Sequence, residues 1–225
     1  MSITIHRDLI QGSDDWLAAR RGMLTASEMK LIITPTLKPA SNDKERAHLW
    51  ELLAQRITGY VEPAYVSDDM LRGRDDELMA RAAYAEHIAP VKEVGFITRD
   101  FGGFKIGYSP DGLVGDDGLI ECKSRRQKFQ VQTIVEGSMP ADYLMQVQTG
   151  LLVTGRQWLD FISYSGGLPF EPIRIFPDAR VQDAILAAAT AFEERLQAAR
   201  SQYDAAINER RFITTERRVE EEMVI

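Results

Sequence analysis

Residues 108–124 read YSPDGLVGDDGLIECKS, and the fold is decided by why this stretch carries charge. Apolar, β-rich runs on either side of an Asp-Asp-Gly turn describe a hairpin that belongs in a protein interior. It nevertheless holds Asp111, Glu121 and Lys123. Ionised groups taken out of water are costly unless they are paired or bind a metal. In a strand, residues two apart share a face, so Glu121 and Lys123 point one way and Ile120 and Cys122 the other. The turn folds the strand carrying Asp111 back beside LIECKS and brings the Asp111 and Glu121 carboxylates close together. Such a pair repels unless a cation lies between them. Oxygen donors without His or Cys select a hard ion, magnesium or manganese, over zinc. A lysine beside them can hold an attacking water and offset charge on a phosphate, so phosphodiester hydrolysis uses all three side chains. A solvated sheet face would present a similar pattern. Ser109-Pro110 before Asp111, the β-rich surroundings and the basic run Arg125, Arg126 and Lys128 favour a site. Asp116 and Asp117 read as turn residues rather than extra ligands.

Composition narrows the chemistry. The 225 residues are 44% hydrophobic and 27% charged, enough for a sizeable core, and one domain over 1–225 is the simplest organisation. A single cysteine, Cys122, excludes an internal disulfide, a zinc knuckle and a four-cysteine iron–sulfur site. Three histidines leave little room for zinc or His-base hydrolase chemistry. The net charge of −7 argues against a non-specific nucleic-acid coat, although RRG at 20–22, RGR at 72–74 and KSRRQK at 123–128 could line local positive walls. No apolar run reaches the roughly 18 residues of a membrane span, and no signal peptide is evident, so the expected compartment is the cytoplasm.

Along the chain, Ser13 before Asp14 and Asp15 marks a helix start leading to a stop near Gly22. TASE at 25–28 has capping-box spacing and predicts a second helix to about Ile33. A third helix is expected from about Asn42 to Gly59 with Ala47, Trp50, Leu53 and Ile57 on its inner face. A fourth spans about 70–88 on Met79, Ala82, Ala83 and Ile88. From Val91 the pattern becomes strand-like: VKEVGFITR and FKIGYS form one hairpin, DGLVG and LIECKS the next. A buried helix at 142–155, strands at 157–165 and 170–176, and a long helix from Ala179 to about Arg211 follow. The expectation is α/β with a central mixed sheet flanked by helices.

The hairpin resembles the catalytic hairpin of the PD-(D/E)xK, restriction-endonuclease-like nucleases. DDWLAARRGMLTASEM, LRGRDDELMAR, the hairpin, and YLMQVQTGLLVTGRQWLDFISY, in that order over about 12–165, resemble the lambda-phage exonuclease type, the YqaJ-like viral recombinases. The C-terminal strand and helix at 170–211 carry no recognisable motif. The resemblance implies that Asp111, Glu121, the Cys122 carbonyl and Glu77 hold magnesium or manganese, two ions per site, and that Lys123 positions the hydrolytic water. Gln146 matches a glutamine beside the active site, with Gln148 as a near competitor. Arg20 and Ser27 match a 5′-phosphate pocket, helped by a Thr25-capped helix N-terminus, and Ser109 is a further phosphate contact or a strand-end hydrogen bond. Met70 or Leu71 stands where an apolar wedge opens the duplex end, and Arg125 and Arg126 are candidate DNA contacts. SRRQKF follows Lys123 in place of the Cys-Pro run of the best-known member. The implied activity is a magnesium-dependent 5′-to-3′ exonuclease on linear double-stranded DNA that releases mononucleotides and leaves a 3′ tail. The implied partners are two further copies in a homotrimeric ring and a single-strand annealing recombinase, in a bacterial cell with a phage or host gene. The rivals are another PD-(D/E)xK endonuclease, for which no base-reading segment is visible, and a catalytically silent DNA-binding module. The branch of the superfamily with a cysteine cluster is excluded by the single cysteine.

Overall fold

The computed structural model describes residues 2–63 and 67–217. A short strand β1 (Ile3–His6) leads to helix α1 (Asp14–Arg20), whose first turn is capped by the Ser13 hydroxyl accepting from the Trp16 N–H. Strand β2 (Leu24–Thr25), a 3₁₀ turn (Ala26–Glu28) and α2 (Met29–Ile32) follow, then α3 (Asp43–Thr58) and α4 (Asp68–His87). The central β region is β3 (Val91–Lys92), β4 (Phe96–Asp100), β5 (Lys105–Tyr108), β6 (Gly112–Val114) and β7 (Gly118–Ser124). The chain closes with α5 (Gln127–Glu136), a 3₁₀ turn (Ala141–Tyr143), α6 (Leu144–Thr154), β8 (Trp158–Tyr164), β9 (Ile173–Ile175) and α7 (Ala179–Glu209).

The expected single sheet is two. One runs β1-β4-β5-β2 and the other β3-β6-β7-β8-β9, each mixing parallel and antiparallel pairs. The division falls inside VKEVGFITR, where β3 joins one sheet and β4 the other. Gly95 permits the break, since a Cβ there would lie 1.8 Å from the Leu9 carbonyl oxygen. The turn at Phe101–Gly103 and the β6–β7 turn at Asp116–Asp117 stand where expected, and the latter pairs Gly112 with Ile120.

β7 separates two apolar cores. Ile120 and Cys122 pack with Ala80 and Tyr84 of α4 and Ile162 of β8 on one face. On the other, Leu119 joins α6, α2 and α7 through Leu151, Met29 and Phe192. Several helices are rotated from the expected phase. In α3, Trp50 is exposed while Glu45 and His48 are buried with Leu49, Leu52 and Leu53. The reason is tertiary: α7 supplies Arg195 to Glu45 at 2.7 Å and Glu193 to Arg56. In α4, Met79 and Ile88 are exposed and Ala80 and Tyr84 face β7 and β8. The predicted helix after Thr25 is broken into the 3₁₀ turn and a single turn of α-helix, and Thr25 itself pairs with Gly107 as part of β2. Helix α5 was not expected, and it inverts the usual pattern: Val131, Ile134 and Val135 stand at i, i+3 and i+4 yet are exposed, while Gln130 and Thr133 are buried.

Candidate active site

The hairpin β6–β7 buries Asp111 and Glu121. Asp111 leaves β5 through Pro110, and its Oδ2 accepts the Cys122 N–H at 2.6 Å, which ties it across the hairpin. Glu121, 1% exposed, accepts the Tyr108 hydroxyl at 2.7 Å on Oε2, while Oε1 faces the Lys123 ammonium at 2.6 Å and accepts the Gln146 amide. Tyr108 can occupy that place because α6 offers Gly150 beneath its ring, where a Cβ would come within 2.8 Å of the ring.

The electrostatics are those of an anionic pocket. Burial, then the Glu121 and Glu77 carboxylates, push the Asp111 carboxyl well above the usual range. Burial also raises the Glu77 carboxyl, opposed chiefly by Arg81. Burial alone would lower the Lys123 ammonium, but Glu121 and Asp111 outweigh it and hold the group charged. The Tyr108 hydroxyl is driven upward by burial and by the same two acids, so it remains a donor.

One cleft of about 190 Å³ gathers Arg20, Ser27, Ser109, Asp111, Glu121, Lys123 and Gln146 from five separate segments. The Arg20 guanidinium lies 4.1 Å from the Trp16 ring centroid and donates to Thr25 Oγ1 at 3.3 Å, with burial lowering its pKa. Ser27 Oγ stands 3.3 Å from Thr25 Oγ1, and the Trp16 indole N–H donates to Ser109 Oγ at 2.9 Å. Thr25 makes no helix cap; its hydroxyl donates to Glu28 at 2.5 Å, so the expected capped-helix anion site is replaced by a cluster of hydroxyls around Arg20. Gln146, not Gln148, reaches the cleft: Gln148 is buried and bonds the Phe176 carbonyl and the Asp178 N–H.

Glu77 stands apart. Its Oε1 pairs with Arg81 at 3.2 Å, and the same guanidinium nitrogen donates to the Asp111 carbonyl at 3.0 Å. Among the described residues no three His, Cys, Asp or Glu side chains converge into a metal-holding group. The donor set the cleft gathers is therefore the carboxylate pair of Asp111 and Glu121. It fits magnesium, which binds through one or two carboxylates and keeps water or substrate phosphate for its other positions. Met70 and Leu71 are exposed in the first turn of α4. Arg125 and Arg126 line a separate open groove with Arg72 and Lys128. Arg125 is seated between Phe129 and Tyr143, whereas Arg126 pairs with Asp69.

Sequence reasoning did not single out Trp16, Tyr108 or Arg81. Trp16 lies four residues before Arg20 and Arg81 four after Glu77, spacings that place each pair on one helix face. Tyr108 gave no comparable signal, because its partner comes from a strand two elements away.

A buried Asp and a Glu-x-Lys on a bent hairpin, in mixed sheets flanked by helices, define a nuclease fold of the PD-(D/E)xK class. A family model, the YqaJ-like viral recombinase domain, matches residues 15–157, and the chain belongs to that family. An alkaline exonuclease from Laribacter hongkongensis is 34% identical, with a TM-score of 0.77 over 88% of this chain and 99% of that one. The structure of that protein in complex with dAMP matches equally well. A phage-related exonuclease from Haemophilus somnus 129PT shares the fold at 17% identity and a TM-score of 0.53, covering 83% of this chain and 96% of that one. Among curated proteins nothing matches. No helix among the described residues is long and apolar enough to cross a membrane.

Proposed function

We propose that this chain is a magnesium-dependent 5′-to-3′ exonuclease that digests one strand of linear duplex DNA, releasing 5′-mononucleotides and leaving a 3′ single-stranded tail for annealing. The observation that carries the reading is the meeting, in one cleft, of the Asp111–Glu121–Lys123 group with Arg20, Ser27 and Ser109. Likeness to an alkaline exonuclease supports it.

In this reading Arg20 and the serine hydroxyls bind the terminal 5′-phosphate by charge-assisted hydrogen bonds and fix the distance to the first phosphodiester. Asp111, Glu121 and the Cys122 carbonyl would hold the metal ions, two per site, and Glu77, whose charge already acts on Asp111, would be the further acid of the set. When bound, magnesium or manganese lowers the pKa of water and neutralises charge on the phosphate. Lys123 orients the attacking water and offsets charge on the phosphate oxygens. Water adds to phosphorus as the bond to the 3′-oxygen breaks. The leaving nucleotide takes a proton on that oxygen, and the next residue keeps a new 5′-phosphate. Gln146 and Tyr108 hold the Glu121 carboxylate in one orientation.

Three copies form a ring around the duplex, which reconciles a net charge of −7 with DNA as substrate. A single-strand annealing recombinase takes the exposed tail. The test is incubation with magnesium and three substrates: linear duplex with 5′-phosphate, linear duplex with 5′-hydroxyl, and a closed circle. Stepwise release of mononucleotides from phosphorylated linear ends is expected. Cutting of the circle would establish an endonuclease instead, and inertness toward all three would establish a binding module.

A further inference from the structure

Helix α5 turns its polar side inward. Gln130 is buried, its amide donating to the Pro169 carbonyl at 2.8 Å and its Oε1 accepting the Ser163 hydroxyl at 2.6 Å, and Thr133 is buried one turn on. Val131, Ile134 and Val135 form a separate face at i, i+3 and i+4, and Val135 is 80% exposed. A second apolar face stands on α7. Its core stripe runs through Phe192, Leu196 and Ala199, and Tyr203, Ala206 and Ile207 continue it at the same helical spacing. No residue from Arg200 to Glu209 is buried, so about 15 Å of helix carries the stripe past the end of the core. Phe212 and Ile213 follow, both exposed. Apolar faces of this kind, left in water, mark contacts with another molecule.

We propose that the two faces meet between copies of this chain, the α5 face of one copy packing against the projecting end of α7 of the next. The charges beside them are complementary. Glu136 follows Val135 in the last turn of α5, and Glu171 lines, with Ile134 and Gly137, a cavity of about 180 Å³ next to that turn. Arg210 and Arg211 follow Ile207 at i+3 and i+4. Among the described residues none of these four charges has an ion-pair partner. Two acids at the rim of one apolar face and two bases at the rim of the other fix which end of each helix meets which. The cavity between α5 and β9 offers a socket for a side chain of the neighbouring copy. Because the faces lie on different elements, the contact is head-to-tail, and its repetition closes a ring when the rotation per copy returns to the start. One such contact covers both faces, whereas pairing each face with its own copy would need two. The proposal rests on the three-copy part of the functional reading, to which it gives the contacting surfaces, and no catalytic residue takes part in it.

Sedimentation of the full chain, followed by oxidative cross-linking, tests the contact. The wild type is expected as an assembly of three copies. Val135→Glu and Ile207→Glu should each weaken self-association by about tenfold or more and leave single chains. Both side chains are exposed in the single chain, so the variants are expected to fold, with an unchanged circular dichroism spectrum. For the pairing itself, Val135→Cys and Ile207→Cys chains are oxidised separately and as a mixture, with the buried Cys122 out of reach. A covalent dimer is expected in the mixture and from neither variant alone. A wild type that sediments as single chains, glutamate variants that assemble like the wild type, a mixture without cross-links, or Val135→Cys chains that cross-link to one another would each overturn the assignment. The nuclease reading fails separately: single chains that cleave DNA lose the interface and keep the activity, and an inert chain that assembles through these faces does the reverse.

Discussion

Glu121 and Asp160 are buried acids on adjacent parallel strands, one residue out of step, so they point to opposite faces of the same sheet. Each accepts a tyrosine hydroxyl at 2.7 Å, Glu121 from Tyr108 and Asp160 from Tyr84. Their charges are balanced differently. Asp160 takes both arms of the Arg174 guanidinium at 2.8 and 2.9 Å, and Arg174 in turn lies over Trp158. Glu121 shares its surroundings with a second acid, Asp111, and with one lysine, Lys123, that pairs with it in the same cleft. A bidentate arginine closes a carboxylate into the architecture; a surplus carboxylate beside a lysine leaves a place for a cation.

That contrast can be broken most sharply by neutralising each side in turn. Asp111→Asn should lower cleavage by about 10³-fold or more, as loss of a group that acts on the reacting phosphate does, while the melting temperature stays level or rises because a like charge is removed. Lys123→Ala is expected to match it in activity while DNA binding, read by mobility shift, persists. Asp160→Asn should do the opposite: a loss of about 1–3 kcal/mol in denaturant unfolding, from a buried pairing left incomplete, with cleavage per folded molecule within about twofold. An Asp160→Asn chain that folds normally but cannot cleave would dissolve the distinction.

The tyrosines sharpen it. Tyr84→Phe and Tyr108→Phe each delete one hydrogen bond and should each cost about 1 kcal/mol. Only Tyr108→Phe should also weaken magnesium binding, by about tenfold, as loss of a partner behind a metal ligand does. The smallest effect is in pH. With Asp111 raised by burial, Glu121 and Glu77, the metal-free folded state holds its proton where the unfolded chain has released it. Protons bound are then greater in the folded state, so stability without metal falls as pH rises between the ordinary aspartate range and the raised one. Asp111→Asn should flatten that slope, and chemical denaturation across pH in the presence of a chelator reads it.

The hairpin was legible because the alternation of β7 and the Asp-Asp-Gly turn are local, and they set which side chains share a face. Helices were placed well and their phases poorly. Trp50 outranks Glu45 and His48 in apolarity, yet only the docking of α7, with Arg195 and Glu193, shows that the polar pair is inside. In α5 the reverse holds: Val131, Ile134 and Val135 keep a helical spacing, but the tertiary structure turns that face to solvent and buries Gln130 and Thr133 instead. In TASE the spacing was right and the outcome different, because Thr25 is recruited to β2 beside Gly107.

By itself the sequence determined the chemistry available at the centre: two carboxylates and a lysine on one hairpin, with no cysteine or histidine set to compete for zinc. Those follow from residue type and a period of two, which need no partner. Only the tertiary structure decided which of Gln146 and Gln148 reaches Glu121, that Tyr108 anchors it, that Arg81 stands between Glu77 and Asp111, and that Trp16 reaches Ser109. Each of those is a contact between elements far apart in the chain, and it exists only once the packing of α1, α4 and α6 on the sheets has fixed distances that no local pattern encodes.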